Sequence, residues 1–112
     1  MLDMSMNKII RERKVAVLYS PGFGGGWFSW NTGCPECIFD PEIVQMVLDR
    51  EQADAIEGRA REKWNQGDNH FFPGGADALQ VAWLPEGVRF FIEEYDGSEA
   101  IVTEHEVKWV TA

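Results

Sequence analysis

An α+β fold follows from three features of the chain. A β-rich stretch, "KVAVLYS", comes first, two helix-patterned segments follow, and the last third alternates like strands around a strong hairpin signal. The economical packing of that order is a mainly antiparallel sheet of four to five strands with two helices on one face. At 112 residues the chain can build one core and not two. A single domain is therefore expected over residues 13–112, preceded by a flexible lead-in at 1–12 whose alternation is poor.

Taken in order, Lys14–Ser20 sets Val15, Val17 and Tyr19 on one face and Ala16 and Leu18 on the other. Both faces can be buried, as in a central strand, before Pro21 and Gly22 stop it. In "FDPEIVQMVLDR" Asp40 is placed to cap a helix, Pro41 suits the first helical position, and Glu42 complements the positive helix end. Ile43, Val44, Met46 and Val47 supply its apolar stripe. A second helix is expected from Glu51 to Gln66, with Ala53, Ile56, Ala60 and Trp64 on one side, Asp54, Glu57, Arg61 and Glu62 on the other, and Gly67 as its stop. Gly58 weakens that helix unless its missing side chain lets a neighbour pack close.

After the loop "GDNHFFPGGAD" the chain reads as a β-meander: Ala78–Leu84, the turn "PEG", Val88–Tyr95, and a strand from Ser98 that "EVKWV" either continues or edges. Asp96-Gly97 is a two-residue hairpin turn, since both positions tolerate positive φ. The register then sets Tyr95 opposite Ser98, Ile92 opposite Ile101 and Phe91 opposite Val102. Arg89 faces Glu104 as an ion pair. Glu94 falls opposite Glu99, a repulsion that water or a cation has to relieve.

The formal charge of −9, from 19 acidic and 10 basic residues, disfavours direct binding to duplex DNA. It allows either plain solubility or an acidic surface that docks on a basic partner. No apolar run approaches the roughly 18 residues of a membrane span, and the N-terminus lacks the pattern of a secretory signal, so a cytoplasmic location and no membrane partner are expected.

Cys34 and Cys37, in "CPEC", are the only cysteines. Thiols, a metal site and redox chemistry are all open to them. The nearest helix signal starts only at Asp40, which argues against a thiol activated at a helix start. His70 and His105 fit no standard zinc spacing, leaving the pair weak metal candidates. No cofactor is implied, and no catalytic motif is evident. Ser20 precedes a proline and lacks the nucleophile elbow, and Glu93 and Glu94 point to opposite faces of one strand.

The segment "YSPGFGGGWFSWN" holds four glycines and five aromatic side chains in thirteen residues. It follows a strand, as phosphate-binding loops do, but matches neither the dinucleotide fingerprint nor a P-loop. A run of exposed amides can form an anion-binding nest, and flanking rings can stack on a base. On that reading Gly22, Phe23, Gly24, Gly25 and Gly26 cradle an anion, with Tyr19 and Ser20 beside them. Trp27 or Trp30 stacks, Arg89 neutralises charge, and Asn31 and Tyr95 supply hydrogen bonds. The competing reading has the glycines making a tight bend while Trp27 and Trp30 fill the core, with Arg89 simply paired to Glu104.

The segments "VAVLYSPGFGGGWFSWN", "FDPEIV", "GGADALQVAWLPEG" and "FFIEEYDGSE", spanning roughly Val15 to Glu99, resemble a widespread set of small uncharacterised proteins of phages, prophages and bacteria. The resemblance brings no established activity and no catalytic residues. By analogy of context it implies a non-enzymatic protein that sequesters a small anionic, nucleotide-like ligand, in the manner of phage sponges for defence signals. A homo-oligomer, a dimer or larger, is expected to complete the pocket. The alternative is an acidic inhibitor that blocks a host defence machine, such as a CRISPR effector, by imitating nucleic acid.

Overall fold

The computed structural model describes residues 7–22, 26–31, 33–67 and 70–112. Its elements are β1 (Ile10–Arg11), β2 (Lys14–Tyr19), α1 (Pro41–Leu48), α2 (Ala53–Trp64), β3 (Gln80–Pro85), β4 (Phe90–Tyr95) and β5 (Ser98–Thr103). Short 3₁₀ turns at Pro35–Ile38 and Ala76–Ala78 precede α1 and β3. The fold is α+β and every strand pairing is antiparallel.

The five strands divide into a three-stranded sheet, β1-β2-β3, and a separate β4-β5 hairpin. The meander expected between β3 and β4 is thus broken. β3 ends at Pro85, which has no N–H to give a ladder. The next amide, Glu86 N–H, extends the pairing with β2 to Arg13 O at 2.8 Å, and the chain then turns through Gly87 (φ 87°). β2 is the central strand that its two apolar faces predict: Val15 through Leu18 are buried, with β1 on one edge and β3 on the other.

Ile10 and Arg11, placed in the flexible lead-in by sequence, form an edge strand of this sheet. Ile10 pairs with Val15, and Ala16 N–H donates to Ile9 O at 2.9 Å. The connecting turn places Glu12 and Arg13 at φ 53° and 66°. Two non-glycine residues in the left-handed region give no turn signal, which is why the strand was not legible. At the other end of the chain, "EVKWV" neither continues β5 nor forms an edge.

α1 forms where its capping chemistry puts it, whereas α2 starts after Gln52 without a side-chain cap. Asp40 accepts from Ile43 N–H at 3.1 Å, with Pro41 in the first turn. α1 packs on β2 and β3 through Ile43 and Val44, while α2 packs on α1 and on the Ala76–Ala78 turn. Polar staples join the helices: Arg59 makes a two-pronged pair with Glu42 at 2.7 and 3.0 Å, and Lys63 reaches Asp40 and Glu42. Arg59 and Lys63 hold the Glu42 carboxyl down at about 2. Gly67 has φ 61° but lies beyond the helix, which ends at Trp64. Gly58 permits no close approach, because a Cβ there would meet nothing within 4 Å.

The hairpin register is the expected one, from Tyr95↔Ser98 to Phe91↔Val102, around Asp96 (φ 52°) and Gly97 (φ 85°).

Candidate functional site

The segments that the sequence singled out converge on one buried carboxylate. Glu99, 2% exposed, points into the bend that follows β2. Its Oε1 accepts from Ser20 N–H at 2.8 Å. Its Oε2 accepts from Trp27 N–H at 2.9 Å, and from Ser29 N–H and Ser29 Oγ–H at 2.7 Å each. Backbone ties flank it: Glu99 N–H donates to Ser20 O at 2.8 Å, and Ser98 Oγ–H to Pro21 O at 2.6 Å. A nest of amides for an anion is therefore present, and the anion it holds is the protein's own side chain.

This resolves the expected clash between Glu94 and Glu99 without water or a cation. Neutral N–H and O–H donors surround Glu99, and Glu94 accepts from Gly97 N–H at 2.6 Å. Sequence reasoning missed the role of Glu99. The available signal was its register, an acid beginning the last strand directly opposite another acid.

The other predicted residues divide sharply. Ser20 is buried and its hydroxyl donates to Gly75 O at 2.9 Å. Trp27 is fully buried, with its indole N–H on Cys37 O at 2.8 Å and its ring edge-on to Phe71 and Trp64. It is a core residue, and no face is left for a base. Asn31, also buried, spends its amide on the fold: Nδ2 donates to Trp27 O and Phe72 O, and Oδ1 accepts from Phe72 N–H. Gly22 and Gly26 are needed for packing. A Cβ on Gly22 would lie 2.5 Å from Ala78 Cβ, and one on Gly26 would lie 2.6 Å from Trp30 Cδ1.

Tyr19 lies at the end of β2, its hydroxyl 3.4 Å from Gln80 Oε1. Trp30 and Tyr95 are exposed, at 53% and 81%. Phe23, Gly24 and Gly25 lie outside the described residues. Arg89 does not join this group. It pairs with Glu104 at the open end of the hairpin, five residues along β5 from Glu99 and so about 16 Å away. Its competing reading, the cross-strand ion pair, is the one observed. The expected ligand constellation is therefore split: Ser20, Trp27 and Asn31 are structural, while Arg89 and Tyr95 lie on the hairpin.

A cavity of about 350 Å³ opens on the other side of the bend, between the 31–36 segment and the end of α2. Trp64 and Phe71 wall it, Lys63 brings positive charge, His70 brings an imidazole, and Cys34 and Glu36 also line it. The histidine-aromatic run "HFF" just after α2 was the overlooked sequence signal. Cys34 precedes the Pro35–Ile38 turn, so the CPEC pair does begin a short helical turn, contrary to the sequence expectation. Cys37 is fully buried and Cys34 half-buried, and both are free thiols. Among the described residues, no three His, Cys, Asp or Glu side chains gather as a metal-ligand set. No described helix is long and apolar enough to cross a membrane.

Comparison of the chain with family models, curated proteins and solved structures finds no match.

Proposed function

We propose that the protein is a non-enzymatic binder of a small, planar, anionic ligand of the nucleotide-like class, held in the Cys34–Trp64–His70 cavity rather than in the glycine bend. The observation that carries this reading is the cavity itself. Its volume of about 350 Å³ suits a small ligand, two aromatic side chains offer apolar wall, Lys63 offers charge to an anionic group, and His70 offers a hydrogen-bonding imidazole. Lys63 is already shared with Asp40 and Glu42, so the ligand's anion competes with two carboxylates for it. The phage-type setting implied by the resemblance, with cytoplasmic sequestration of a defence signal by a homo-oligomer, fits a ligand held without chemistry.

Isothermal titration against mono-, di- and cyclic dinucleotides tests the proposal. Binding should appear with at least one member and weaken roughly tenfold or more in Trp64→Ala and His70→Ala, a loss of about 1.4 kcal/mol. Absence of heat across the panel at about 100 µM protein overturns it.

A second reading is favoured by the β4-β5 hairpin. Phe91 and Tyr95 are exposed there beside Glu93, Glu94 and Asp96, and Trp109 is 84% exposed nearby in sequence. Exposed aromatics set among acids suit docking on a basic protein surface, as in an inhibitor that imitates nucleic acid. Charge reversal at Glu93 and Glu94 would abolish such docking and spare nucleotide binding, whereas Trp64→Ala would do the opposite.

A further inference from the structure

We propose that Cys34 and Cys37 form a reversible two-electron dithiol–disulfide couple whose co-substrate is a low-molecular-weight disulfide admitted through the cavity. The pair closes a hydrogen-bonded turn, with Cys37 N–H donating to Cys34 O at 3.1 Å. Turns of this kind bring residues i and i+3 within about 7 Å at Cα, the range a disulfide spans. In a 3₁₀ turn, side chains three apart also eclipse one another. Cys34 is itself held by its N–H to Asn31 O at 2.8 Å.

The two thiols are unequal. Cys34 is half-buried and lines the cavity; Cys37 lies fully buried behind it, beneath Trp27. That asymmetry separates an attacking thiol from a resolving one. The Cys34 thiolate attacks one sulfur of the external disulfide, RSSR, forming Cys34–S–S–R and releasing one RS⁻. The Cys37 thiolate then attacks the Cys34 sulfur, forming the Cys34–Cys37 bond and releasing the second RS⁻. Two electrons pass from the dithiol to RSSR, and the two thiol protons leave with the products.

A side-chain hydrogen bond with Cys34, followed by burial, pushes the Cys37 thiol far up. Burial keeps Cys37 out of reach of external reagents before the first step. This chemistry shares the cavity with the proposed ligand but does not depend on it. Trp64→Ala and nucleotide titration test the one, and the cysteine variants test the other.

The test incubates the reduced protein with glutathione and glutathione disulfide over a range of ratios, followed by acid quench and intact mass measurement. The expected product is about 2 Da lighter than the reduced chain, in proportions that follow a two-electron couple, with only transient glutathione adduct. Indole emission should fall in parallel, because Trp27 hydrogen-bonds to the Cys37 carbonyl. Native alkylation should label the protein once, at Cys34. Cys34→Ser and Cys34→Ala, both verified as folded by circular dichroism, should neither oxidise internally nor be labelled. A wild-type chain that keeps both thiols at every ratio, or that stops as a stable mixed disulfide, overturns the proposal.

Discussion

Replacing Glu99 is the most informative single perturbation. Four donors converge on its carboxylate, three of them backbone amides on the bend after β2. In Glu99→Ala those three amides lose their acceptor in a buried setting. An unsatisfied buried donor costs about 1–3 kcal/mol, so even with partial rehydration the loss should reach about 4 kcal/mol. That is a large fraction of the roughly 5–15 kcal/mol of a typical domain. Glu99→Gln is the sharper probe, because shape is kept. Its carbonyl can take the place of Oε2 and serve Trp27 and Ser29, but its NH₂ then faces Ser20 N–H, donor against donor. A loss of about 2 kcal/mol is expected, lowering Tm by about 8–10 °C in a chain of this size. Urea unfolding and thermal melts give the stability. Amide exchange locates the effect, since Ser20, Trp27 and Ser29 should be protected in the wild type and exchange rapidly in Glu99→Gln. A Glu99→Gln variant that melts with the wild type, or fast exchange of those amides in the wild type, would refute the latch.

Three other outcomes are expected. Gly58→Ala should stabilise the protein by about 0.5–1 kcal/mol in urea unfolding, since Gly58 is exposed within α2 and a Cβ there meets nothing. The depressed Glu42 carboxyl contributes stability that is present above the ordinary carboxylate range and is lost as pH falls from about 4.5 towards 2. Glu42→Gln should flatten that part of the stability–pH curve and lower stability at neutral pH. Arg89→Ala should change stability by no more than about 0.5 kcal/mol and leave ligand binding intact, because its partner is a surface carboxylate and its side chain is 87% exposed.

The legible parts of the fold were those written in local chemistry. Asp40-Pro41 announced α1, Asp96-Gly97 fixed the hairpin register to the residue, and the two-faced apolar run at Val15–Leu18 marked the central strand. What escaped depends on distant partners. β1 relies on a turn through Glu12 and Arg13 that carries no turn residue, and no local signal separates β3 from the β4-β5 hairpin. The candidate site shows the same division. Glycine density in "GFGGGW" drew attention to this bend, but the amides that hold Glu99 are those of Ser20, Trp27 and Ser29, and composition could not say that their acceptor comes from residue 99. The glycines serve close packing as well: a Cβ on Gly75 would stand 2.6 Å from Gly26 O and 2.7 Å from Ser20 Oγ. The three quoted segments around Gly26, Gly75 and Glu99 thus meet at one knot, and their composition reflects internal fit.

The Glu99 latch also sets the order in which the molecule can be built. Its side-chain contacts span 70 to 79 positions of sequence. Closure over such distances comes late and slows folding relative to contacts within a helix pair. During synthesis, β2 and both helices emerge well before the strand that secures the bend, so a nascent chain halted before Ser98 would carry Trp27 with three open amides around it. The setting of Trp27 is therefore completed only when β5 docks, and refolding followed by Trp27 emission should report that docking step rather than helix formation.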